Sequence, residues 1–293
     1  MSFLVTPLLS SLPDGEVLVI GRPKFRKRRT AESIEVLDGW SREMAERFPD
    51  EAAEHPSWDL HACSDFELDR FRRRSVRDPE GRDPRQAEAL ELSSQYYSAA
   101  FEVAVAAGGT AEIAIGGRTV SQPSPEDPGE MWYSGLSRAA ERAIVSGSPE
   151  RLAALLAHPR DRFPKAAGIA LIDSYAEALL THLRGEPAGP ALDRAFADLA
   201  GFEAYGLCPA PVAALHRLDT GDREGFAQAL ADTLAEFRDV FHQRGLKSAD
   251  AGLINIEALA LACLARSRGW DVPIDSPYLP QGVLDRAAGV SFR

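Results

Sequence analysis

The clearest hydrophobic periodicity lies near the C-terminus. Phe226, Leu230, Leu234, Phe237 and Phe241 recur at steps of three or four. That spacing puts them on one face of an amphipathic helix over 222–244. Asp222 supplies an N-cap carboxylate at the positive end of the helix dipole, and Gly245 supplies the stop. Asp232, Glu236, Asp239 and Gln243 fall on the opposite face. Such a face is either solvated surface or a binding surface. The next run, 249–267, has a different pattern. Leu253, Ile254, Ile256, Leu259, Leu261, Cys263 and Leu264 surround the helix axis. A helix that is apolar all round belongs in a core or a membrane. This run is too short for a bilayer, and Asn255 and Glu257 interrupt it. It is therefore expected to be the central core helix. Asn255 and Glu257 must find partners or water there, because an unpaired buried polar group costs about 1–3 kcal/mol. A structural hydrogen bond at one helix end is the expectation, and a ligand-binding Glu257 the alternative. After Gly269, Pro273, Pro277 and Pro280 forbid another long helix. Trp270, Ile274, Tyr278, Leu279 and Leu284 can anchor the resulting strap.

The rest of the chain reads as helices joined by short turns. Residues 16–20 form a short strand or extended segment. A helix over 30–48 turns Ile34, Leu37, Met44 and Phe48 inward. A second, over 57–74, carries Trp58, Phe66 and Phe71 and ends in three arginines, which suit a helix C-terminus. A long helix over 84–107 buries Leu90, Tyr97, Phe101, Ala104 and Val105. Two extended runs over 110–122 flank Gly116-Gly117, the signal of a two-residue hairpin. No helix follows that pair directly, so it is not a phosphate loop. The stretch 121–129, SQPSPEDPG, is the best boundary between an N-terminal region, 1–120, and a C-terminal region, 121–293, within one compact unit. Further helices are expected near 130–146, 149–157, 165–184, 189–202 and 209–218. The segments SGSPERLAALLA and TGDREGFAQALA echo one another, although two copies do not make a solenoid. The predicted fold is all-α, mainly antiparallel helical hairpins packed as one array. One small β-hairpin lies near 110–122.

Composition narrows the partners. The 293 residues are 45% hydrophobic and 26% charged, as in an ordinary globular protein. The formal net charge of -11 disfavours nucleic acid and anionic membranes and suits a basic partner. Arg22, Lys24, Arg26, Lys27, Arg28 and Arg29 form a basic cluster, read as a solvated face or an intramolecular partner for acidic helices. Cys63, Cys208 and Cys263 are unpaired in spacing, which points to reduced thiols and a cytoplasmic setting. The N-terminus lacks the basic region of a signal peptide, and no stretch reads as a membrane span. The histidines His55, His61, His158, His182, His216 and His242 show no zinc spacing. Cys208 and His216 are the nearest approach to a nucleophile and base, but nothing orients them. No catalytic, cofactor-binding or metal residues are expected. Asp232, Glu236 and Asp239 are the candidate partner-binding residues.

The helix GDREGFAQALADTLAEFRDVF, the core helix INIEALALACLARSRGW and the tail DVPIDSPYLPQGVLD resemble the immunity 49 family of bacterial polymorphic-toxin systems. So does the upstream order of long helix, hairpin, and helix bearing Met131, Trp132 and Tyr133. The resemblance is clearest over 85–285. It implies a non-catalytic cytoplasmic protein that binds a toxin domain, covering its active site or locking its conformation. The family has no agreed catalytic residues to transfer. Two other classes remain open from the residues alone: a helical-repeat-like scaffold or adaptor, and an enzyme with a composite site.

Overall fold

The computed structural model describes residues 17–21, 27–54, 59–106, 108–124, 131–165, 169–202, 208–243 and 250–292. Gly245, His55, Trp58 and the basic residues Arg22, Lys24 and Arg26 lie outside that set. The described residues form helices with only small strand pairs. In chain order they are β1 (Leu18–Val19), α1 (Lys27–Glu54), α2 (Leu60–Arg74), α3 (Pro84–Val105), β2 (Thr110–Ile115) and β3 (Arg118–Pro123). Then follow α4 (Tyr133–Ser146), α5 (Pro149–Leu156), α6 (Ala170–Leu183), α7 (Gly189–Ala200), α8 (Val212–Thr220) and α9 (Arg223–Gln243). The chain closes with α10 (Ile256–Ser267), β4 (Ile274–Asp275) and α11 (Gln281–Ala287). The mainly helical fold with one hairpin is the one the sequence predicts.

The apolar run is the core helix, but it starts later than its apolarity suggests. Asp250–Gly252 form a single 3-10 turn, and Leu253 and Ile254 are buried ahead of the helix. Asn255 then caps α10, its Oδ1 accepting from the Ala258 N–H at 2.9 Å. That is the structural hydrogen bond expected of it. Ile256 and every residue from Ala258 to Ala265 are buried. They are covered by α4, α8, α9 and α11. α9 presents Phe226, Leu230, Leu234 and Phe237 inward as predicted, and Asp222 caps it by accepting from the Gly225 N–H at 2.9 Å.

Four helices end in one closure. Gly147, Gly185, Gly221 and Gly269 follow α4, α6, α8 and α10 with φ of 77°, 70°, 77° and 72°. The residue after each glycine donates to the carbonyl five positions back. These are Ser148 to Ala143 (2.9 Å), Glu186 to Thr181 (3.2 Å), Asp222 to Arg217 (3.0 Å) and Trp270 to Ala265 (3.0 Å). This is the Schellman closure, which needs a left-handed residue and so selects glycine. The sequence echo is its visible trace. Ser148 and Asp222 each cap the following helix, α5 and α9, immediately after the closure.

The hairpin forms as predicted, with Ile113 opposite Val120 and both glycines at positive φ. β2 packs on α3 and β3 on α1. The strap holds the other end of the chain. β1 pairs in parallel with β4, Leu18 N–H donating to Pro273 O and Ile20 N–H to Asp275 O, both at 2.9 Å. Ser276 Oγ adds a bond to Ile20 O at 2.9 Å. Trp270, Ile274, Tyr278, Leu279 and Leu284 are all buried, as expected of anchors.

Charges in the N-terminal helices are buried in matched sets. Glu67 accepts from Ser41 Oγ and Arg70 Nε, each at 2.6 Å. Arg74 pairs with Asp38 and Asp83. Arg142 of α4 reaches between α2 and α3 to Ser64 and Asp65, with its guanidinium 4.2 Å from the centre of the Tyr97 ring.

Replacing Leu259, fully buried in α10, by alanine is expected to destabilise the fold by about 2–5 kcal/mol, read from urea unfolding. A loss under about 1 kcal/mol would show that α10 is not the centre of the core.

Candidate functional site

Asp232, Glu236 and Asp239 sit one helical turn apart on α9, and all three are exposed. Their surroundings differ. Asp232 accepts from Gln228 Nε2 at 2.8 Å, and Asp239 pairs with Arg238 Nε at 2.8 Å, which offsets part of its charge. Glu236 has its carboxyl pushed up by partial burial. The three form one acidic strip on the outer side of a helix whose inner side is core.

A second group of carboxylates borders a cavity, Glu141 buried and Glu257 half-buried. A cavity of about 130 Å³ opens between α4, α6, the start of α10 and the segment leading into α8. Ser134, Ser137 and Arg138 line it from α4, Tyr175 from α6, and Glu257 from α10. Glu141 lies one turn along α4 from Ser137 and is buried. Removal from water pushes the Glu257 carboxyl up to about 7, against the pull of Arg138. The same desolvation, reinforced by the charge of Glu257, holds Glu141 well above the ordinary carboxylate range, with Arg138 and Arg142 opposing. Burial also raises the Tyr175 phenol, and the two carboxylates add to it. The Tyr175 hydroxyl has no hydrogen-bond partner among the described residues. Cys208, on the cavity wall, has its thiol raised by burial first, then by Glu257 and Glu236. Through Cys208 the acidic strip of α9 and the cavity share one electrostatic neighbourhood.

The sequence points to Glu257 but not to Glu141. The available signal was its place in α4, four residues after Ser137 and three before Ile144, on the side that carries buried residues. A glutamate at such a position must be paired, protonated or facing a cavity.

A wider concavity, about 930 Å³, lies where α6, α8 and α10 end. His182 Nδ1 is 2.7 Å from Asp219 Oδ1, and Arg268 Nη2 is 2.7 Å from His182 Nε2. Arginine can only donate, so Nε2 accepts and Nδ1 carries the proton toward Asp219. Both ring nitrogens are engaged. Arg268 also donates to Leu218 O at 2.8 Å, so the chain ties three helix ends together. Cys208 and His216 do not form a reactive pair. Cys208 faces the carboxylate cavity, whereas His216 packs edge-on against Phe196 at 5.6 Å. Among the described residues, no group of three or more His, Cys, Asp or Glu could hold a metal ion. None of the described helices is long and apolar enough to cross a membrane.

The family model described as immunity protein 49 matches residues 78–283. The chain belongs to that family. The match takes in the cavity, the acidic strip and the strap. No curated protein and no solved structure matches the chain.

The carboxylate cavity predicts a pH dependence. Unfolded glutamate titrates near 4.3, while folded Glu257 keeps its proton up to about 7. The folded state therefore binds more protons between those values. Its advantage is complete below about pH 4.3 and is lost as pH rises through about 7. Glu257→Gln keeps the shape and removes the charge. The variant is expected to melt higher than the parent at pH 8, with the gap closing toward pH 5. Melting curves whose difference does not change with pH would contradict this account of Glu257.

Proposed function

We propose that this chain is a non-catalytic immunity protein that acts in the cytoplasm of a bacterium, where it binds and neutralises a cognate toxin domain. The observation that carries the reading is the family match over 78–283. Immunity acts through a protein partner, and the acidity of this chain supports a basic one. The net charge of -11 would steer such a partner toward the surface, and a local acidic strip would fix its approach. On this reading Asp232, Glu236 and Asp239 form part of the contact. Nucleic acid and membrane are not partners in this reading.

The regions before and after 121–129 act together as one unit in this proposal. α3 packs on α4 across that boundary, and Arg73 of α2 binds Asp250 through two nitrogens at 2.6 and 2.8 Å.

A second reading, an enzyme with a composite site, draws on the paired carboxylates of Glu141 and Glu257. The small volume of their cavity and the raised thiol of Cys208 on its wall, which disfavours the thiolate, favour the binding reading over it. The adaptor reading needs a sustained repeat, and the capped turn linking α4 to α5 recurs with its N-cap only between α8 and α9 among the described helices.

The test begins with an affinity pull-down from host lysate at low and high salt, with the retained protein identified. One dominant basic partner, released at high salt, is expected. Its affinity is then measured against the parent chain and a D232K/E236K/D239K variant. The variant should bind at least about tenfold more weakly, roughly 1.4 kcal/mol, with a shallower salt dependence. Unchanged affinity and salt slope would remove the α9 strip from the interface.

A further inference from the structure

We propose that the cavity between α4, α6 and α10 is a binding site for an alkylammonium group, a primary ammonium on a short aliphatic stem. The proposal does not depend on the toxin reading.

Three observations converge. Glu257 lines the cavity and Glu141 lies close behind its wall; Arg138 acts on both and Arg142 on Glu141, but neither forms an ion pair with them. The matched sets around Arg70, Arg74 and Arg142 show how this same chain treats other buried charges. Two carboxylates left without such a partner create a local demand for positive charge. Second, Tyr175 is only 3% exposed, lines the cavity, and has a hydroxyl without a partner. Buried hydroxyls are normally satisfied, so an orphan one facing a cavity points to a missing ligand. Third, Leu171, Ile172, Phe202 and Ala210 give the wall an apolar part, beside the polar Ser134, Ser137 and Arg138.

An ammonium brings three donors and a full positive charge, suited to a carboxylate and a phenol oxygen. Its methylene stem suits the apolar part of the wall. The volume of about 130 Å³ equals the share of roughly four waters, enough for a stem of about four carbons. A calcium-type ion would need six or more oxygen ligands, which this wall does not supply.

The rim suggests two sources for the same chemistry. Glu236 acts electrostatically on Cys208 at the wall, which would draw in the lysine side chain of a protein. Arg138 also lines the cavity but is itself exposed, and it would hold the carboxylate of a free zwitterionic amino acid. The charged and titratable groups acting on the site are Glu141, Glu257, Arg138, Arg142, Tyr175, Cys208 and Glu236.

The experiment titrates the full chain at pH 7.5 with n-butylamine, 4-aminobutyrate and butyrate, by calorimetry in buffers of different ionisation enthalpy. Saturable one-to-one binding of an amine is expected, with no binding of butyrate. Proton release should accompany it, because the ammonium favours the ionised carboxylate; a simple hydrophobic ligand would release none. Glu257→Gln should weaken binding at least tenfold while retaining a cooperative melt, and Tyr175→Phe should weaken it by a smaller factor. Tighter binding of 4-aminobutyrate than of n-butylamine would support the proposal with a free zwitterion as the source. Equal or tighter binding of n-butylamine would support it with a side chain as the source. Failure of both amines to bind, or binding unchanged by Glu257→Gln, would overturn it.

Discussion

The constraint on which this structure depends is that α10 has no face fit for water. Ile256 and the eight residues from Ala258 to Ala265 are buried, so other elements must cover the helix on every side. Burying each large side chain there contributes about 1.5–3 kcal/mol, enough to dictate where the surrounding helices go. α4, α8, α9 and α11 supply the cover. The amphipathic stripe of α9 has its counterpart here, and the tail follows from the same demand. It returns through Tyr278, Leu279 and Leu284 to seal the core, and β4 on the way fastens the N-terminal β1.

The same packing leaves two acidic side chains without an ion pair among the described residues. Covering the first turn of α10 with α4 sets Glu257 near Glu141, two carboxyl groups whose desolvation favours the protonated form. Elsewhere the fold meets buried charge with opposite charge, as at Glu67 with Arg70 or Arg142 with Asp65. At the α4–α10 contact the carboxyl groups border a cavity lined by the unpartnered Tyr175 hydroxyl. That contrast sets the α4–α10 contact apart from ordinary structural ion pairing.

The legible features were those with a local signature. The period of α9, the all-round apolarity of α10 and the glycine pair of the hairpin each state their own geometry. Apolarity reports burial, however, not helicity. Leu253 and Ile254 are buried as expected, yet the Asn255 side chain starts the helix only after them. The β1–β4 pairing was invisible because two-residue strands carry no periodicity and their partners lie at opposite ends of the chain. The acidic strip could be read from spacing. The cavity could not, because a lone glutamate in α4 reveals its role only when another helix brings a second carboxylate to it.

The repeated Schellman closure has a consequence for how this framework can diverge. α6, α8 and α10 end at one pole, in tight turns whose bonds fix the number of residues. α7 and α9 run back from that pole, so the end of α7 and the starts of α8 and α10 fall toward the other. An insertion at the first pole must break a closed hydrogen-bonded ring, whereas α7 ends at Gly201 with φ of -93° and no such left-handed closure. Phe202, Cys208, Ala210 and Glu257 place the carboxylate cavity at that second pole. Lineages of this fold can therefore vary the rim of the pocket without rebuilding the frame that holds it.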